Sequence, residues 1–353
     1  MVSDSKKDDL RVALIGFGLG GAFFHAPLIA ATKGLRLTTV VTANAERRAQ
    51  ALRDYPGVQV VSDPDQLWRG DHDLVVISTP NRSHVPLALA ALDAGLAVVI
   101  DKPFAATAAE ARRVIAKARE KKLAVSAYHI RRWDSECRTL QDLMARGELG
   151  RVLRFESRLE RWRPEPKGGW KERPAPEEAG GILYDIGSHL IDQALYLFGP
   201  VREVYAEIEI RRPGAATDDD VFVALTHQSG VRSHLWTSCL AAQPGARMRV
   251  MGDRAAFVKQ KGDVQEAALR DGRRPAAGWG EDPQDQWGIL SDGGTQRAIP
   301  SLPGAYQEFY AGMARALRDG APLPVDPEDA VAGLEIIEAA QRSSAERRVI
   351  TFS

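Results

Sequence analysis

Two short stretches of this sequence carry side chains whose types and spacing could exchange a proton with a hydroxyl group. The first is Asp101-Lys102-Pro103, which follows the apolar run 97–100. If that run is a strand of a parallel sheet, Lys102 stands at the carboxyl edge, where open α/β folds place their ligands. A partly desolvated lysine there titrates near neutrality and can take the proton of a hydroxyl as hydride leaves the carbinol carbon. Pro103 restricts Lys102 to extended backbone and could fix its aim, for instance through a cis bond. The bland alternative is a surface lysine beside a turn proline.

The second stretch runs from Gly180-Gly181 through Leu183, Asp185 and His189 to Asp192. On a helix, Asp185, His189 and Asp192 are spaced four and three apart and share one face, while Leu183, Ile186, Leu190 and Ile191 can face the core. Two carboxylates and an imidazole on an otherwise apolar helix are costly unless they line a polar cavity or satisfy one another. A substrate site, a capping carboxylate with a satisfied histidine, and a metal site all fit that stripe, although no further ligand cluster supports the metal.

A third motif says what could take up the hydride. Gly16-Phe17-Gly18-Leu19-Gly20-Gly21 follows the first apolar run at once and matches G-x-G-x-x-G. Gly16 permits the tight turn, Gly18 lets backbone approach a pyrophosphate, and Gly21 lets a helix pack on the strand. Amide N–H groups and the helix dipole then hold the phosphates. At the end of the second strand, where an acidic residue would hold a ribose hydroxyl, the chain reads Thr42-Ala43-Asn44-Ala45-Glu46-Arg47-Arg48. Thr42 and Asn44 can donate to a 2′-phosphate and Arg47 or Arg48 can neutralise it, so NADP is expected ahead of NAD. Both arginines could equally be solvated on the next helix.

These motifs need a scaffold, and the periodicities supply one. Short β-branched runs at 12–15, 37–41, 74–78, 97–100 and 124–126 alternate with helical patterns such as 84–94 and 108–121, the latter with Thr107 as a natural N-cap. That predicts an N-terminal Rossmann doubly wound parallel sheet over residues 1–129. A helix at 135–145 and longer runs at 152–159, 204–210, 221–226 and 231–238, the last three without helices between them, predict an α+β domain over 130–353 with a large, mostly antiparallel open sheet. Helices at 306–319 and 327–342 precede a short terminal strand. The stretch 261–294 has no clear period.

Composition narrows the partners. The chain has 353 residues, 44% hydrophobic and 27% charged, with 47 basic and 47 acidic side chains, so it can bury a sizeable pocket but has no global basic field for nucleic acid or an anionic membrane. Cys137 and Cys239 lie far apart without a Cys or His at metal spacing, which argues against zinc and suits a reducing compartment. The polar start MVSDSKKDDL and the absence of any eighteen-residue apolar run predict neither an export signal nor a membrane span. The cytoplasm is the expected location and a small molecule the expected partner.

The glycine motif, Thr79-Pro80-Asn81 with His84 after it, Asp101-Lys102-Pro103, and Gly-Gly-x-Leu-x-Asp-x-Gly-x-His-x-x-Asp together resemble the Gfo/Idh/MocA oxidoreductases along nearly the entire chain. The segments 128–134, 161–165 and 185–193 look most similar to the NADP-dependent scyllo-inositol 2-dehydrogenase-like members. The chain departs from that group at Thr42-Ala43, Ile130 and Asp101, where Ser-Arg, Asn and Glu are commoner.

The resemblance implies that Lys102 is the acid/base and that Asp185 and His189 contact the reacting hydroxyl or relay its proton. It also implies that Asn81, His84 and the glycines lie on the cofactor, with Phe17, Leu19, Thr79, Pro80 and Asp101 beside them. An oligomer interface, dimeric or tetrameric, is implied for the second domain's sheet. Arg163 and Trp170 are candidates for the wall of a polyol pocket, since polyols are held by charged donors and flat apolar faces; a flexible exposed loop with an anchoring tryptophan is the alternative. The expected reaction is hydride transfer between a secondary alcohol of an inositol-like polyol and NAD(P), with the polyol entering an interdomain cleft after the cofactor. A sugar or sugar-acid dehydrogenase, or a cofactor-binding sensor without turnover, are the competing readings.

Overall fold

A computed structural model describes residues 9–352, so the polar start of the chain lies largely outside the described residues. The chain forms two compact units: residues up to His129 with Gln265–Trp279 and Tyr306–Ala330, and Ile130–Val264 with Gly280–Ala305 and Val331 onward.

The first unit is built on a parallel sheet of β1 (Leu10–Ile15), β2 (Leu35–Val41), β3 (Gln59–Val61), β4 (Leu74–Ile77), β5 (Ala97–Ile100) and β6 (Val125–Ala127). Their order is β3-β2-β1-β4-β5-β6, which reverses between β1 and β4 and so opens a crevice at the carboxyl ends of those two strands. The central strands read as continuous apolar runs because side chains on both faces are covered: Val12, Leu14, Val75, Val76, Val98 and Val99 are fully buried. A π-helical turn, Gly20–His25, leads into α1 (Ala26–Ala31); α2 (Ala45–Asp54), α3 (His84–Asp93) and α4 (Ala108–Lys121) follow. Asn44 caps α2 by accepting from the Arg47 N–H at 2.9 Å, and Thr107 caps α4 by accepting from Glu110 at 3.2 Å, as its position before the helix predicts.

The second unit carries a nine-stranded sheet among the described residues. Its strands are β7 (Val152–Glu160), β8 (Val201–Glu209), β9 (Asp220–His227), β10 (Arg232–Ser238), β11 (Met248–Gly252), β12 (Ala256–Lys259), β13 (Gly288–Ser291), β14 (Gln296–Ile299) and β15 (Ile350–Thr351). All neighbours are antiparallel except β7 and β10. Side chains alternate along β9: Val221, Val223, Leu225 and His227 are buried, while Phe222, Ala224 and Thr226 are half-exposed. The helices of this unit begin with α5 (Ser135–Ala145) and α6 (Ser188–Phe198).

The stretch without a clear period resolves into α7 (Gln265–Arg270), β13 and most of a hairpin with β14. Its pattern was hidden because α7 is six residues long and is held by a polar side chain: fully buried Gln265 accepts from Trp279 Nε1 and from the Tyr306 backbone, both at 2.8 Å. The closing helices are α8 (Gln307–Asp319) and α9 (Pro327–Glu346). Tyr306, Phe309, Tyr310 and Met313 at the start of α8 are buried in the first unit, with Phe309 edge-on to Tyr128 at 4.8 Å. No helix of the described residues is long and apolar enough to cross a membrane.

Candidate active site

At the crevice of the first unit, the glycines answer to different demands. A Cβ on Gly16, which has φ +97°, would collide with the Ser78 carbonyl, and one on Gly21 with the Gly16 carbonyl, so backbone packing alone requires both. Gly18 differs: its nearest neighbour would be the Arg47 guanidinium, 3.7–3.9 Å away. The packing leaves that position open for a phosphate, with a cation above it, and the loop fits a dinucleotide. Arg48 is committed elsewhere, donating to the Val60 carbonyl at 2.9 Å. The Thr42 hydroxyl accepts from Asn44 N at 3.3 Å, and the Asn44 carbonyl oxygen is spent on the α2 cap. Of the side chains expected at a 2′-phosphate, Arg47 is the cation placed by the glycine loop. Phe17 is buried and Leu19 half-exposed on either side of Gly18.

Lys102 stands at the end of β5 with a cis bond to Pro103. Its backbone N–H donates to Asp101 Oδ1 at 2.8 Å, and Asp101 Oδ2 accepts from the Ser78 hydroxyl at 3.0 Å. His25 Nε2 lies 3.4 Å from the same Oδ2, while His25 Nδ1 is 2.6 Å from the Tyr310 hydroxyl and the ring stacks on Tyr128 at 4.0 Å. Burial pushes the Asp101 carboxyl up, but the facing His25 ring, with smaller contributions from Lys102 and His84, outweighs it and holds the group well below the usual carboxylate range.

His84 is fully buried, its Nδ1 2.9 Å from the Pro103 carbonyl and its Nε2 3.0 Å from the Thr79 carbonyl. A neutral imidazole donates to one of them at a time. Burial, only partly offset by Asp101 and the two carbonyls, lowers its pKa. His84 therefore ties the loop after β4 to the loop carrying Lys102. Asn81 is buried beside it at the start of a short 3-10 turn, and Ser83 braces the same loop, its hydroxyl donating to the Pro80 carbonyl at 2.7 Å and accepting from the Thr79 hydroxyl at 2.8 Å.

In the second unit, Asp185 lies in a π-helical turn, Leu183–Gly187, and His189 is buried in the first turn of α6. The wide turn alters the stripe expected for one continuous helix. Asp185 Oδ1 accepts from Lys171 Nζ at 2.5 Å, with Arg161 at 3.9 Å from Oδ2. Asp192 instead forms a buried bidentate pair with Arg132, whose Nη2 is 2.6 Å from Oδ1 and Nε 3.0 Å from Oδ2. Asp192 is thus structural, while Asp185 faces a cationic loop. Asp218 supports the π turn: its Oδ2 accepts from the Leu183 N–H at 2.7 Å, and burial, against that and two further backbone donors, pushes its carboxyl up to about 6. Gly181, at φ +98°, makes room for the Asp218 carboxylate.

Trp170 joins this group through Lys171, whose ammonium lies 5.6 Å from the Trp170 ring centre. Arg163 is exposed, and its backbone N–H is fixed to the Cys239 carbonyl at 2.7 Å. Sequence reasoning passed over Lys171, Arg161, His25 and Tyr310. His25 carried one usable signal, a histidine next to the glycine loop inside an apolar helix; Tyr310 and Lys171 carried none, since each acts across a large sequence separation or from a loop.

Residues 10–129 match the family described as "Oxidoreductase family, NAD-binding Rossmann fold", and residues 137–258 match the "GFO/IDH/MocA C-terminal domain". The chain is 40% identical to the uncharacterised oxidoreductase YdgJ of Escherichia coli over 98% of this chain and 99% of that protein. It is 35% identical to the scyllo-inositol 2-dehydrogenase (NADP(+)) IolW of Bacillus subtilis, over 98% and 96% respectively. Among solved structures, the Bacillus subtilis protein yvaA superposes with a TM-score of 0.93 at 34% identity, covering 98% of this chain and 99% of that one. The nucleotide-binding crevice, the lysine at its edge and these likenesses over nearly the full length place the chain in the Gfo/Idh/MocA family of NAD(P)-dependent oxidoreductases.

Proposed function

We propose that the protein transfers a hydride between a secondary alcohol of a cyclic, inositol-like polyol and NADP, with Lys102 exchanging the hydroxyl proton. The observation that carries this reading is Lys102 itself, anchored through its backbone to an ionised, partly buried Asp101 at the carboxyl edge of the sheet. The bound nicotinamide supplies the two-electron acceptor. Gly16 and Gly21 would shape the loop, the backbone at Gly18 would approach the pyrophosphate, and Arg47 would meet the 2′-phosphate. Thr42, Asn44, Thr79, Pro80, Asn81 and the His84-braced loop complete the cofactor side.

Lys102 takes the hydroxyl proton as the C–H electron pair departs, leaving a ketone; the reverse path returns both. Asp185 and His189 act on the reacting hydroxyl, and Lys171 holds Asp185 by a charge-assisted hydrogen bond. The name of the Bacillus subtilis relative favours an inositol. A second reading, a sugar or sugar acid, is favoured by the two cations Arg161 and Lys171 at Asp185, which suit a carboxylate-bearing substrate. Self-association through the second unit's sheet is supported by half-exposed Phe222, His234 and Trp236, with Arg158 stacked 3.9 Å from the Trp236 ring.

The deciding experiment measures reduction of NADP⁺ and NAD⁺ with scyllo-inositol, myo-inositol, aldoses and aldonic acids. Turnover of an inositol with NADP⁺ is expected, together with a loss of about 100- to 10,000-fold in kcat for Lys102→Met at unchanged cofactor affinity. Cofactor binding without turnover of any alcohol would favour a sensor, and full activity in Lys102→Met would overturn the mechanism.

A further inference from the structure

The support beneath Lys102 reaches much further along the chain than its motif. Asp101 and Lys102 are consecutive, but the groups that fix Asp101 come from the helix after the glycine loop, from the end of β4 and from α8, more than two hundred residues away in sequence.

We propose that Tyr310, His25 and Asp101 form a positioning chain that sets the backbone of Lys102, and that His25 acts in it as the tautomer with hydrogen on Nε2. The proposal rests on the role assigned to Lys102 above.

The atoms fix the direction of each bond. The Asp101 carboxylate can only accept, and it is the polar group that faces His25 Nε2, at 3.4 Å, longer than a well-formed hydrogen bond; the proposal places the hydrogen on that nitrogen. In that tautomer Nδ1 is an acceptor, and it receives the Tyr310 O–H at 2.6 Å. His25 and Tyr310 are fully buried, so no water competes for the bond between them. Tyr128 closes the remaining face of the imidazole by stacking on it, and its own hydroxyl is held by the Phe24 carbonyl at 2.5 Å. The aromatic shell thus leaves His25 one orientation.

Downstream, the carboxylate spends one oxygen on the Lys102 N–H at 2.8 Å and shares the other between His25 and the Ser78 hydroxyl. Rotation of Asp101 breaks all three contacts at once, so its position and that of the Lys102 backbone are a single variable. The glycine loop is built around the same carboxylate: a Cβ on Gly20 would strike the Ser78 hydroxyl and sit 2.9 Å from Asp101 Oδ2. This explains a glycine that the phosphate motif itself does not demand. Acting through Lys102, His25 and Tyr310 are positioning residues: they touch neither substrate nor nicotinamide in this scheme.

The test uses the full-length protein and needs no knowledge of the natural substrate for its first arm. With lysine labelled by carbon-13 at Cε, the Lys102 signal is assigned by its loss in Lys102→Met. It is expected to shift and broaden in His25→Gln, and to a smaller extent in Tyr310→Phe, a variant that removes one buried oxygen and keeps the aromatic shell. Histidine nitrogen-15 spectra of the wild type should show His25 protonated on Nε2, with the same tautomer and a shifted Nδ1 signal in Tyr310→Phe. An unmoved Lys102 signal in both variants, or a wild-type His25 protonated on Nδ1, would overturn the proposal.

The second arm follows scyllo-inositol oxidation with NADP⁺. Here kcat should fall about 10- to 100-fold in His25→Gln, as expected of a small misplacement of the reacting group, with KM and NADP⁺ affinity within about threefold. A fall in cofactor affinity equal to the fall in kcat would make His25 a support of the glycine loop and sink the idea. Full turnover in Lys102→Met would instead discard the assigned role of Lys102 while leaving the His25 tautomer as stated, so the two failures are distinguishable.

Discussion

Each of the two units starts a functional helix with a π turn, yet the turns do opposite things to the sequence pattern. Gly20–His25 follows a glycine loop and delivers His25 to a partly buried carboxylate that belongs to the same sheet edge. Leu183–Gly187 precedes α6 and carries Asp185 out of line with Asp192, so that one carboxylate meets Lys171 and the other a buried arginine. A π turn holds more residues per turn than an α-helix, so a stripe counted at α-helical spacing across it does not stay on one face. At the sheet edge nothing depends on helical phase, because strand ends are fixed by the ladder itself. Edge residues are therefore easier to place from a sequence than helix-face residues.

Separating Asp185 from Asp192 is the strongest way to break this comparison. Arg132→Met leaves Asp192 buried without its partner and should cost about 3–5 kcal/mol of unfolding free energy in urea, while kcat of the remaining folded protein stays near wild type. If kcat collapses and stability does not, Asp192 belongs with Asp185 after all.

The support of the second π turn has a pH signature. The Asp218 carboxyl is raised to about 6, above its unfolded value, so its contribution is fully present below the unfolded pKa and is lost as pH rises through about 6. Over that window the wild type should lose up to about 3 kcal/mol relative to Asp218→Asn, measured by urea unfolding on either side of it. Equal pH slopes for the two proteins would mean that Asp218 titrates normally.

A smaller effect sharpens the other side of the comparison. Arg47→Ala should weaken NADP⁺ binding about 10- to 100-fold, the worth of a charge-assisted bond, and leave NAD⁺ within about threefold, as read by fluorescence titration. Equal losses for both cofactors would place Arg47 at the pyrophosphate and not at the 2′-phosphate. Least affected should be Lys171→Met: the side chain is 44% exposed, so stability changes by less than about 1 kcal/mol. KM for scyllo-inositol should nonetheless rise about 3- to 10-fold, and an unchanged KM would reduce the Lys171–Asp185 pair to a surface contact.

The sequence by itself determined the parallel sheet, the glycine loop, the Lys102 edge and the mostly antiparallel second sheet. Each of these is written in local period, in turn residues or in a motif a few residues long. The 265–270 helix and the strands from 248 to 259 and 288 to 299 escaped because they are short and draw their order from neighbours. Tertiary structure alone decided that Arg47 and not Arg48 stands over the glycine loop, that Asp192 is paired with Arg132, and that Lys171 holds Asp185. It alone brought Tyr310 to His25 across 285 positions. The physical reason is common to all four: each depends on where a side chain ends after packing has fixed its rotamer, and a sequence records which groups exist but not which of them meet.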